Sequence, residues 1–341
     1  MPGLSEFSIP PSTGGPKVNA HDVVIVGGSL AGSACARELA RRGVDAVALE
    51  RDTFPRDKVC GGFVSPGGVE CLDRLGVLDR VRAAGAVEVK SARIRAGSRD
   101  VNIPFERPGL GISRGALDAI VADHAAVKTG CHVHRVRREG DAFVVETADG
   151  DIRCAVVIDA AGKLSRFTPR TSITGEQFGT QYFEPGDRGD VLEFSFSAGV
   201  YGGAVSVEGC RSNFSFLINK EKLPEHLGRP GQLVTGPVAY ERAASGYIAI
   251  GDAAGMVDPF CGEGMRHALD SGMTAASIVA RGIAERKSYE EVRWDYDREW
   301  LRRWERKRLV TAGLRRLMQY PALLATGLPL AARSVLRELW V

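Results

Sequence analysis

Three small residues in a turn and one acid after them form the first candidate site in the sequence. Gly27, Ser29 and Gly32 occupy the three positions of a G-x-G-x-x-G pattern, with serine at the second position. Such a turn brings a helix N-terminus and its free N–H groups close to phosphate oxygens. Glu50 follows about twenty residues later, where a carboxylate can accept a hydrogen bond from an adenosine ribose hydroxyl. The pattern predicts nucleotide binding, and the alternative is a purely structural strand–helix–strand crossover.

A second glycine-bearing stretch lies three quarters of the way along the chain. Gly251 and Asp252 follow a short apolar strand, and this acid suits the neutral hydroxyls of a sugar-like chain better than phosphate. Pro259, Gly262 and Gly264 then form a loop that opens a long helix. The free N–H groups and the positive end of that helix would stabilise negative charge on a bound ring system.

Charged and thiol side chains between these two stretches are further candidates. Arg51, Arg56 and Lys58 contact phosphates or a negatively charged ring in one interpretation, and only solvent in the other. Cys60 stands beside two glycines and is either a small buried residue or a thiol near the active centre. Arg114 begins a predicted helix, where a cation opposes the helix dipole unless an anion or aromatic ring faces it.

The segment DAAGKLSR, residues 159–166, repeats the arrangement of a buried strand that delivers a glycine turn. In a functional interpretation, Gly162 and Arg166 contact a pyrophosphate or a nicotinamide donor. In the alternative interpretation the segment is a simple turn. His132 and His134 share one face of a strand, but no third ligand is evident, so we expect surface residues and no metal site.

The hydrophobic pattern predicts the elements that position these residues. Apolar runs at 23–26, 44–49 and 155–158 indicate strands buried on both faces of a parallel sheet. Residues 181–217 alternate with period two and indicate an antiparallel sheet inserted between the parallel strands. Helical periodicity predicts helices at about 34–42, 69–80, 112–126, 264–280 and 289–319.

Aromatic residues of the inserted sheet are candidates for a substrate pocket, with plain core packing as the alternative. Tyr201 is the polar aromatic residue that we expect nearest to the pocket. Leu192, Phe194 and Phe196 share one face of a strand, and Phe214 and Phe216 share one face of a later strand. The predicted substrate-pocket residues are Phe194, Phe196, Tyr201, Phe214 and Phe216.

The bulk composition of the 341 residues limits the classes of protein. With 44% hydrophobic residues, 26% charged residues and a net charge of +3, the chain offers no electrostatic reason for nucleic acid binding or strong membrane attraction. Seven cysteines without metal-ligand spacing indicate reduced thiols and a cytoplasmic protein. We expect a flexible tail at 1–20 and no spanning helix. Residues 320–341 cap the core or make a peripheral membrane contact.

Together these motifs resemble the FAD-dependent oxidoreductases with a p-hydroxybenzoate hydroxylase-like fold, which include flavin monooxygenases and geranylgeranyl reductases. VIVGGSLAG with ALERD is similar to their ADP-binding motif, and GDAAGMVDPFCGEGMRHALDSG is similar to their flavin-binding motif. The resemblance implies an α/β fold, a Rossmann-like FAD-binding domain with an inserted antiparallel β-sheet substrate domain and C-terminal helices. The implied FAD-binding domain comprises 21–85, 106–175 and 245–285, the substrate domain 86–105 and 176–244, and the helical segment 286–341.

The resemblance also implies roles for individual residues. Glu50 would bind the adenosine ribose, Asp252 the ribityl or pyrophosphate region, and Arg114 the FAD chain. Gly264 and Met265 would offer backbone N–H groups to the pyrimidine edge of the flavin. The predicted cofactor-binding residues are Gly27, Ser29, Gly32, Glu50, Arg51, Cys60, Arg114, Gly162, Gly251, Asp252, Pro259, Gly262, Gly264 and Met265.

Three functions are consistent with the resemblance. The first is an FAD monooxygenase that hydroxylates or epoxidises a hydrophobic or aromatic small molecule through a flavin hydroperoxide, without named catalytic side chains. The second is a double-bond reductase of the geranylgeranyl reductase type, favoured by VCGG and GEG but not by YGGAVSV. The third is a non-catalytic flavin-binding protein that responds to redox state. No second dinucleotide-binding unit appears, so NAD(P)H would bind transiently or a partner flavin reductase would supply electrons.

Overall fold

The structure is a computed structural model that describes residues 19–96, 99–168, 176–238, 246–257, 259 and 262–318. The strands are Asn19–Val26 (β1), Ala46–Leu49 (β2), Phe63–Val64 (β3), Val87–Ala96 (β4), Arg99–Gly111 (β5), Val127–Lys128 (β6), Val133–Glu139 (β7), Ala142–Thr147 (β8), Gly150–Asp159 (β9), Gln177–Pro185 (β10), Val191–Ser197 (β11), Val200–Val207 (β12), Arg211–Asn219 (β13), Leu233–Thr235 (β14) and Ile248–Ala249 (β15). The α-helices are Leu30–Arg41 (α1), Pro66–Arg74 (α2), Leu78–Ala83 (α3), Arg114–Ala122 (α4), Gly264–Ala284 (α5), Tyr289–Trp300 (α6) and Arg306–Met318 (α7).

The first sheet brings three turns to one edge. Its strand order is β6-β2-β1-β9-β8-β7, and β15 also pairs with β9. Strands β1, β2, β9 and β15 run parallel, and Asp159 at the end of β9 is in register with both Val26 and Ala249. The turns that follow these residues therefore leave the same edge of the sheet, as in nucleotide-binding α/β folds.

Helices α1 and α5 lie against each other because small residues line their contact. An ideal Cβ placed on Gly272 would lie 2.3 Å from the carbonyl oxygen of Ala31, so only glycine permits this separation of the helix backbones. The surrounding core contains Ala34, Cys35 and Ala275, each fully buried. The contact fixes the N-terminus of α1 relative to α5, and both helices begin at the predicted site.

The second sheet has the order β14-β10-β13-β12-β11-β4-β5-β3. Most neighbours are antiparallel, as expected, but β11 runs parallel to β4. Strand β5 continues to Gly111, so the predicted domain boundary between residues 105 and 106 falls inside a strand. Phe63–Val64 also joins this sheet, although the sequence assigned it to the FAD-binding domain. The predicted architecture is present, with these differences at its borders.

The helices after α5 are attached to the first sheet and to α5 by side-chain hydrogen bonds. The Tyr289 hydroxyl accepts a hydrogen bond from the Ile248 N–H at 3.0 Å and donates to the Val157 carbonyl at 3.1 Å. Further along, the indole of Trp300 donates to His267 Nε2 at 3.1 Å. A π-helical turn at Leu301–Glu305 joins α6 to α7.

Several predicted elements differ from the structure at their ends. The helix expected at 69–80 is two helices, α2 and α3, because Gly76 takes a positive φ of +70° after Leu75. The flexible tail expected at 1–20 gives way to β1 at Asn19, and residues 1–18 lie outside the described residues. The C-terminal cap expected at 320–341 also lies outside them. Within the described part of the chain, no helix combines the length and apolar character needed to cross a membrane.

Candidate functional site

One cavity joins the two glycine-bearing stretches of the sequence. Ser29 at the start of α1 and Gly251 after β15 both line it, together with the opening residues of α5. The second sheet forms the opposite wall through β10–β13. The cavity encloses about 1490 Å³, including the part that is open to solvent. It therefore lies where the parallel sheet, α5 and the inserted sheet meet.

The first glycine turn packs directly against the turn after β9. Gly27 has a φ of +104°, and an ideal Cβ on it would lie 2.4 Å from the Ala160 carbonyl oxygen. A Cβ on Gly32 would lie 1.9 Å from the Gly27 oxygen, so neither position admits a side chain. The N-cap residue Ser29 forms no side-chain cap, which leaves the first N–H groups of α1 for a ligand.

Ser29 belongs to a buried ion-pair network with α4. The Arg114 guanidinium donates to both carboxylate oxygens of Asp118, at 2.8 and 2.9 Å, and to the Ser29 hydroxyl at 2.7 Å. Ser29 in turn donates to Asp118 at 2.9 Å. Burial acts to lower the pKa of Arg114, but the facing Asp118 carboxylate outweighs it, so the pKa is raised and the guanidinium stays charged. Asp118, one turn along the same helix, is the anion that faces this cation.

Glu50 braces the first turn from the end of β2. Its carboxylate is 6% exposed and accepts hydrogen bonds from the Gly28 N–H at 2.8 Å and the Asp52 N–H at 3.0 Å. Arg56 lies 3.7 Å from the same carboxylate. Neither Glu50 nor Arg51 lines the cavity in this structure. The predicted role of Glu50 toward the adenosine ribose and that of Arg51 toward phosphates or a negatively charged ring stay predictions.

The loop after Glu50 carries a lysine and a cysteine into the cavity. Lys58 lines it, with Nζ beside Gly162. Desolvation lowers the pKa of Lys58, and Arg114 lowers it further, while Asp252 opposes the shift. Cys60 also lines the cavity. Lys58 was a candidate phosphate contact in the sequence but was not among the predicted cofactor-binding residues.

The backbone of Cys60 connects this loop to the inserted sheet. Its N–H donates to Gln181 Oε1, and its carbonyl accepts from Asn213 Nδ2, both at 3.0 Å. Gln181 and Asn213 are buried and also hydrogen bond to each other at 2.7 Å. The loop leaves the first sheet after β2 and is held by the second sheet, so the position of its cavity-lining side chains depends on how the two sheets dock.

The turn after β9 is organised by a buried aspartate. Asp159 accepts hydrogen bonds from the Ala161 N–H at 2.9 Å, from the Ser165 hydroxyl at 2.6 Å and from the Thr168 hydroxyl. Gly162, with a φ of +82°, lines the cavity. Arg166 is exposed and does not line it.

The second glycine stretch forms the opposite end of the cavity. Gly251 has a φ of +56°, and its N–H donates to the Ser271 hydroxyl on α5 at 2.9 Å. Asp252 follows in a short 3₁₀ turn. The remaining predicted residues of this stretch, Pro259, Gly262, Gly264 and Met265, all line the cavity. Helix α5 therefore begins at the cavity wall.

Three of the five predicted pocket aromatics line the cavity: Phe194, Tyr201 and Phe216. Phe196 does not line it but lies against Tyr201, with ring centroids 6.2 Å apart. Phe214 does not line it either. Its register with Ala204 places it on the other face of the strands from Phe194, a face that it shares with Phe216, although Phe216 does line the cavity. Leu192, which the sequence placed on the same strand face as Phe194, also lines the cavity. Further apolar lining residues were not predicted, namely Leu217, Val238, Met256 and Val257.

Comparison with known proteins agrees with this geometry. A family model described as an FAD binding domain matches residues 20–175. The menaquinone reductase of Mycolicibacterium smegmatis is 29% identical over 323 residues, covering 76% of each chain. The digeranylgeranylglycerophospholipid reductase of Thermoplasma volcanium is 27% identical, covering 86% of each chain.

Two solved structures share the fold. The flavin-dependent brominase Bmp2 superposes with a TM-score of 0.78 at 17% identity, covering 94% of this chain and 93% of that one. PqsL of Pseudomonas aeruginosa, described as a probable FAD-dependent monooxygenase, gives 0.76 at 16% identity, covering 90% and 99%. The chain is an FAD-dependent oxidoreductase with a p-hydroxybenzoate hydroxylase-like fold.

The expected fold class, the FAD cofactor and the enzymatic nature of this oxidoreductase are thereby confirmed. The interpretation as a non-catalytic flavin-binding protein is set aside, since the relatives indicate an enzyme. The cavity suits the cofactor because its two ends combine helix N-termini with glycines that allow close backbone approach. In the described ranges, no group of three or more metal-ligating side chains could hold a metal ion.

Proposed function

We propose that FAD spans the cavity with its diphosphate at the N-terminus of α1. This placement is supported by the uncapped start of α1 and by the charged Arg114 that hydrogen bonds to Ser29. Lys58 adds a second cation on the same wall. Asp252 then binds the ribityl hydroxyls. Glu50 binds the adenosine ribose, since a carboxylate that already accepts two N–H groups retains further acceptor capacity.

The isoalloxazine ring would lie at the start of α5. Gly264 and Met265 line the cavity there, and their N–H groups point outward from the first turn of a 21-residue helix. The positive end of a helix stabilises negative charge close to it. This position therefore favours the reduced, anionic form of the ring and leaves the apolar wall of the second sheet for a substrate.

For the reaction, we infer reduction of a carbon–carbon double bond in a lipophilic, prenyl-type substrate. The observation that carries this proposal is the agreement over most of the chain with two relatives named as lipid reductases. The apolar cavity wall, with Leu192, Leu217 and Met256, fits such a substrate. When bound, FAD supplies the two electrons. The protein excludes water from the cavity and orients the substrate against the ring.

Monooxygenation of an aromatic compound is the second candidate. Phe194, Tyr201 and Phe216 favour it, because an aromatic wall suits an aromatic substrate. For either reaction, we propose that NAD(P)H binds transiently as the donor, or that a partner flavin reductase delivers the electrons.

Anaerobic reoxidation of the reduced protein separates the two candidates. The FAD-loaded protein is reduced with one equivalent of dithionite without oxygen and mixed with digeranylgeranylglycerol phosphate, which carries prenyl double bonds and no quinone, while flavin absorbance is recorded. The proposal expects reoxidation of the flavin and a product heavier by two hydrogen atoms. If the flavin stays reduced until oxygen is admitted, and one oxygen atom then enters an added aromatic compound, the protein is a monooxygenase.

A further inference from the structure

A groove crosses the face of the second sheet that carries Phe214, and it shares Phe194, Gly203 and Phe216 with the cavity. Its floor lies on the two middle strands, where Ser195 on β11 and Gly203 and Ala204 on β12 are small and Glu193 on β11 adds a carboxylate. Strand order β13-β12-β11-β4 then places a wall on each side. One wall carries arginines from β4, and the other carries phenyl rings from β13. The wall strands are three inter-strand spacings apart, roughly 14 Å.

The aromatic wall is a stack on the outer face of the sheet. Tyr182 lies parallel to Phe214, with ring centroids 5.2 Å apart and an interplanar angle of 10°, and Phe216 continues the stack at 6.1 Å from Tyr182. All three rings are half-buried rather than buried. The Arg188 guanidinium lies 5.3 Å from the centre of the Phe214 ring. This wall offers apolar surface to a flat molecule.

The opposite wall carries more positive than negative charge. Arg93 and Arg95 line the groove with side chains that are 43% and 61% exposed. Arg93 lies 3.5 Å from Glu193, a carboxylate that also pairs with Arg188, and Arg95 lies 3.3 Å from Asp100. Ion pairs this exposed contribute little stability, so an anion in the groove can compete for both guanidinium groups.

We propose that this groove binds a small organic anion with a flat, apolar body of one or two rings. The body lies on the small-residue floor against the phenyl wall, and its carboxylate or phosphate faces Arg93 and Arg95. A dissolved molecule fits better than a membrane, because the floor is recessed between two walls. Phe194, Gly203 and Phe216 line both the groove and the flavin cavity, but Arg93 and Arg95 line only the groove, so binding of the anion does not require a particular reaction in the cavity.

The proposal is tested by calorimetric titration of the FAD-loaded protein with 2-naphthoate and with its neutral analogue 2-naphthamide. We expect one 2-naphthoate per chain and at least tenfold weaker binding in the double variant Arg93→Gln/Arg95→Gln. The affinity for 2-naphthamide should stay the same in this variant. Ala204→Leu, which fills the floor, should weaken both ligands. The matched control Arg135→Gln/Arg153→Gln removes two arginines from the first sheet and should change neither.

Retained flavin absorbance shows that each variant is folded. If the double variant loses its flavin, salt titration of the wild type serves instead, and 2-naphthoate binding should weaken with sodium chloride while 2-naphthamide binding does not. The proposal is wrong if 2-naphthoate does not bind at millimolar concentration, or binds equally to wild type and Ala204→Leu. It is also wrong if the arginine substitutions leave 2-naphthoate binding unchanged and abolish only co-sedimentation of the protein with phosphatidylserine vesicles. The occupant would then be a membrane.

Discussion

Arg114 donates a hydrogen bond to the hydroxyl of Ser29 at 2.7 Å and so links the start of α4 to the glycine-rich turn. In the G-x-G-x-x-G pattern this position is normally glycine, and a side chain there crowds a phosphate. The serine instead takes part in the buried network of Arg114 and Asp118. The same network therefore accounts for two unusual features of the sequence, a serine at the second glycine position and an arginine at the N-terminus of α4.

Asp118→Asn should destabilise the apoprotein by roughly 3 kcal/mol, because it leaves the buried Arg114 guanidinium without its counter-charge. Urea unfolding followed by circular dichroism measures the change. Asp123→Asn, which removes an exposed carboxylate paired with Arg80 just after the same helix, is the matched control and should unfold like the wild type. Equal midpoints for both variants would contradict the inferred burial of the pair.

Replacement of Lys58 should weaken FAD binding if its ammonium group faces the diphosphate. Lys58→Met is expected to reduce FAD affinity at least about tenfold, since a hydrogen bond to a charged group contributes about 1.5 kcal/mol or more. Riboflavin lacks the diphosphate, so its affinity should not change. Fluorescence titration of the apoprotein measures both ligands. Lys128→Met, on the exposed strand β6, serves as the control. An equal loss of riboflavin affinity would place Lys58 at the ring instead.

His267 should make the folded state less stable in acid. Burial lowers its pKa to about 4, whereas an unfolded histidine titrates near 6.5. Between these values the unfolded chain binds more protons, so the stabilising effect is complete above about pH 6.5 and is lost as the pH falls toward 4. Urea unfolding at pH 7 and pH 4.5 should show a smaller loss for His267→Gln, whose amide can still accept from Trp300.

His226→Gln, on the half-buried 3₁₀ segment after β13, is the control for that experiment. It should follow the wild-type dependence on pH. If His267→Gln also follows the wild type, the imidazole does not titrate as inferred, and other groups are responsible for the loss of stability in acid.

FAD should protect Cys60 from alkylation. Cys60 lines the cavity, while Cys210 is exposed on a turn away from it. Burial raises the pKa of Cys71 and Cys154 to about 12, so both thiols should react slowly. Treatment with iodoacetamide at pH 8, followed by peptide mass spectrometry, should label Cys60 and Cys210 in the apoprotein. In the FAD-loaded protein only the Cys210 labelling should remain unchanged, and undiminished Cys60 labelling would place the thiol away from the cofactor.

The sequence predicted the features that arise from local pattern. Apolar runs and glycines in the chain sufficed to place the turns after Val26 and Ile250, because parallel strands deliver their following turns to one edge. The sequence did not show that Phe194 and Phe214 lie on opposite faces of the sheet. Both alternate correctly within their own strands, but the register between strands decides that they lie on opposite faces.

Contacts between residues close in sequence could have been predicted, whereas contacts between distant segments could not. The partner of Arg114 was one helical turn away at Asp118 and could have been found from the i, i+4 spacing. The direction of Lys58 could not, because it depends on a loop held by Gln181 and Asn213 of the other sheet. Gly76 indicated the end of a helix, but the apolar periodicity continues through 69–80 and led to the prediction of a single helix.

The phenol of Tyr289 bridges two strands that directly precede the turns bearing Gly162 and Gly251. Helix α6 therefore helps to set the spacing of the two turns on which we propose that the cofactor lies, although its residues make none of the predicted FAD contacts. Anyone shortening this polypeptide for crystallisation or fusing a reporter to it should keep everything through Trp300, which hydrogen bonds to His267. A protein truncated at the end of α5 should purify with less bound FAD, even though it retains every predicted FAD-binding residue.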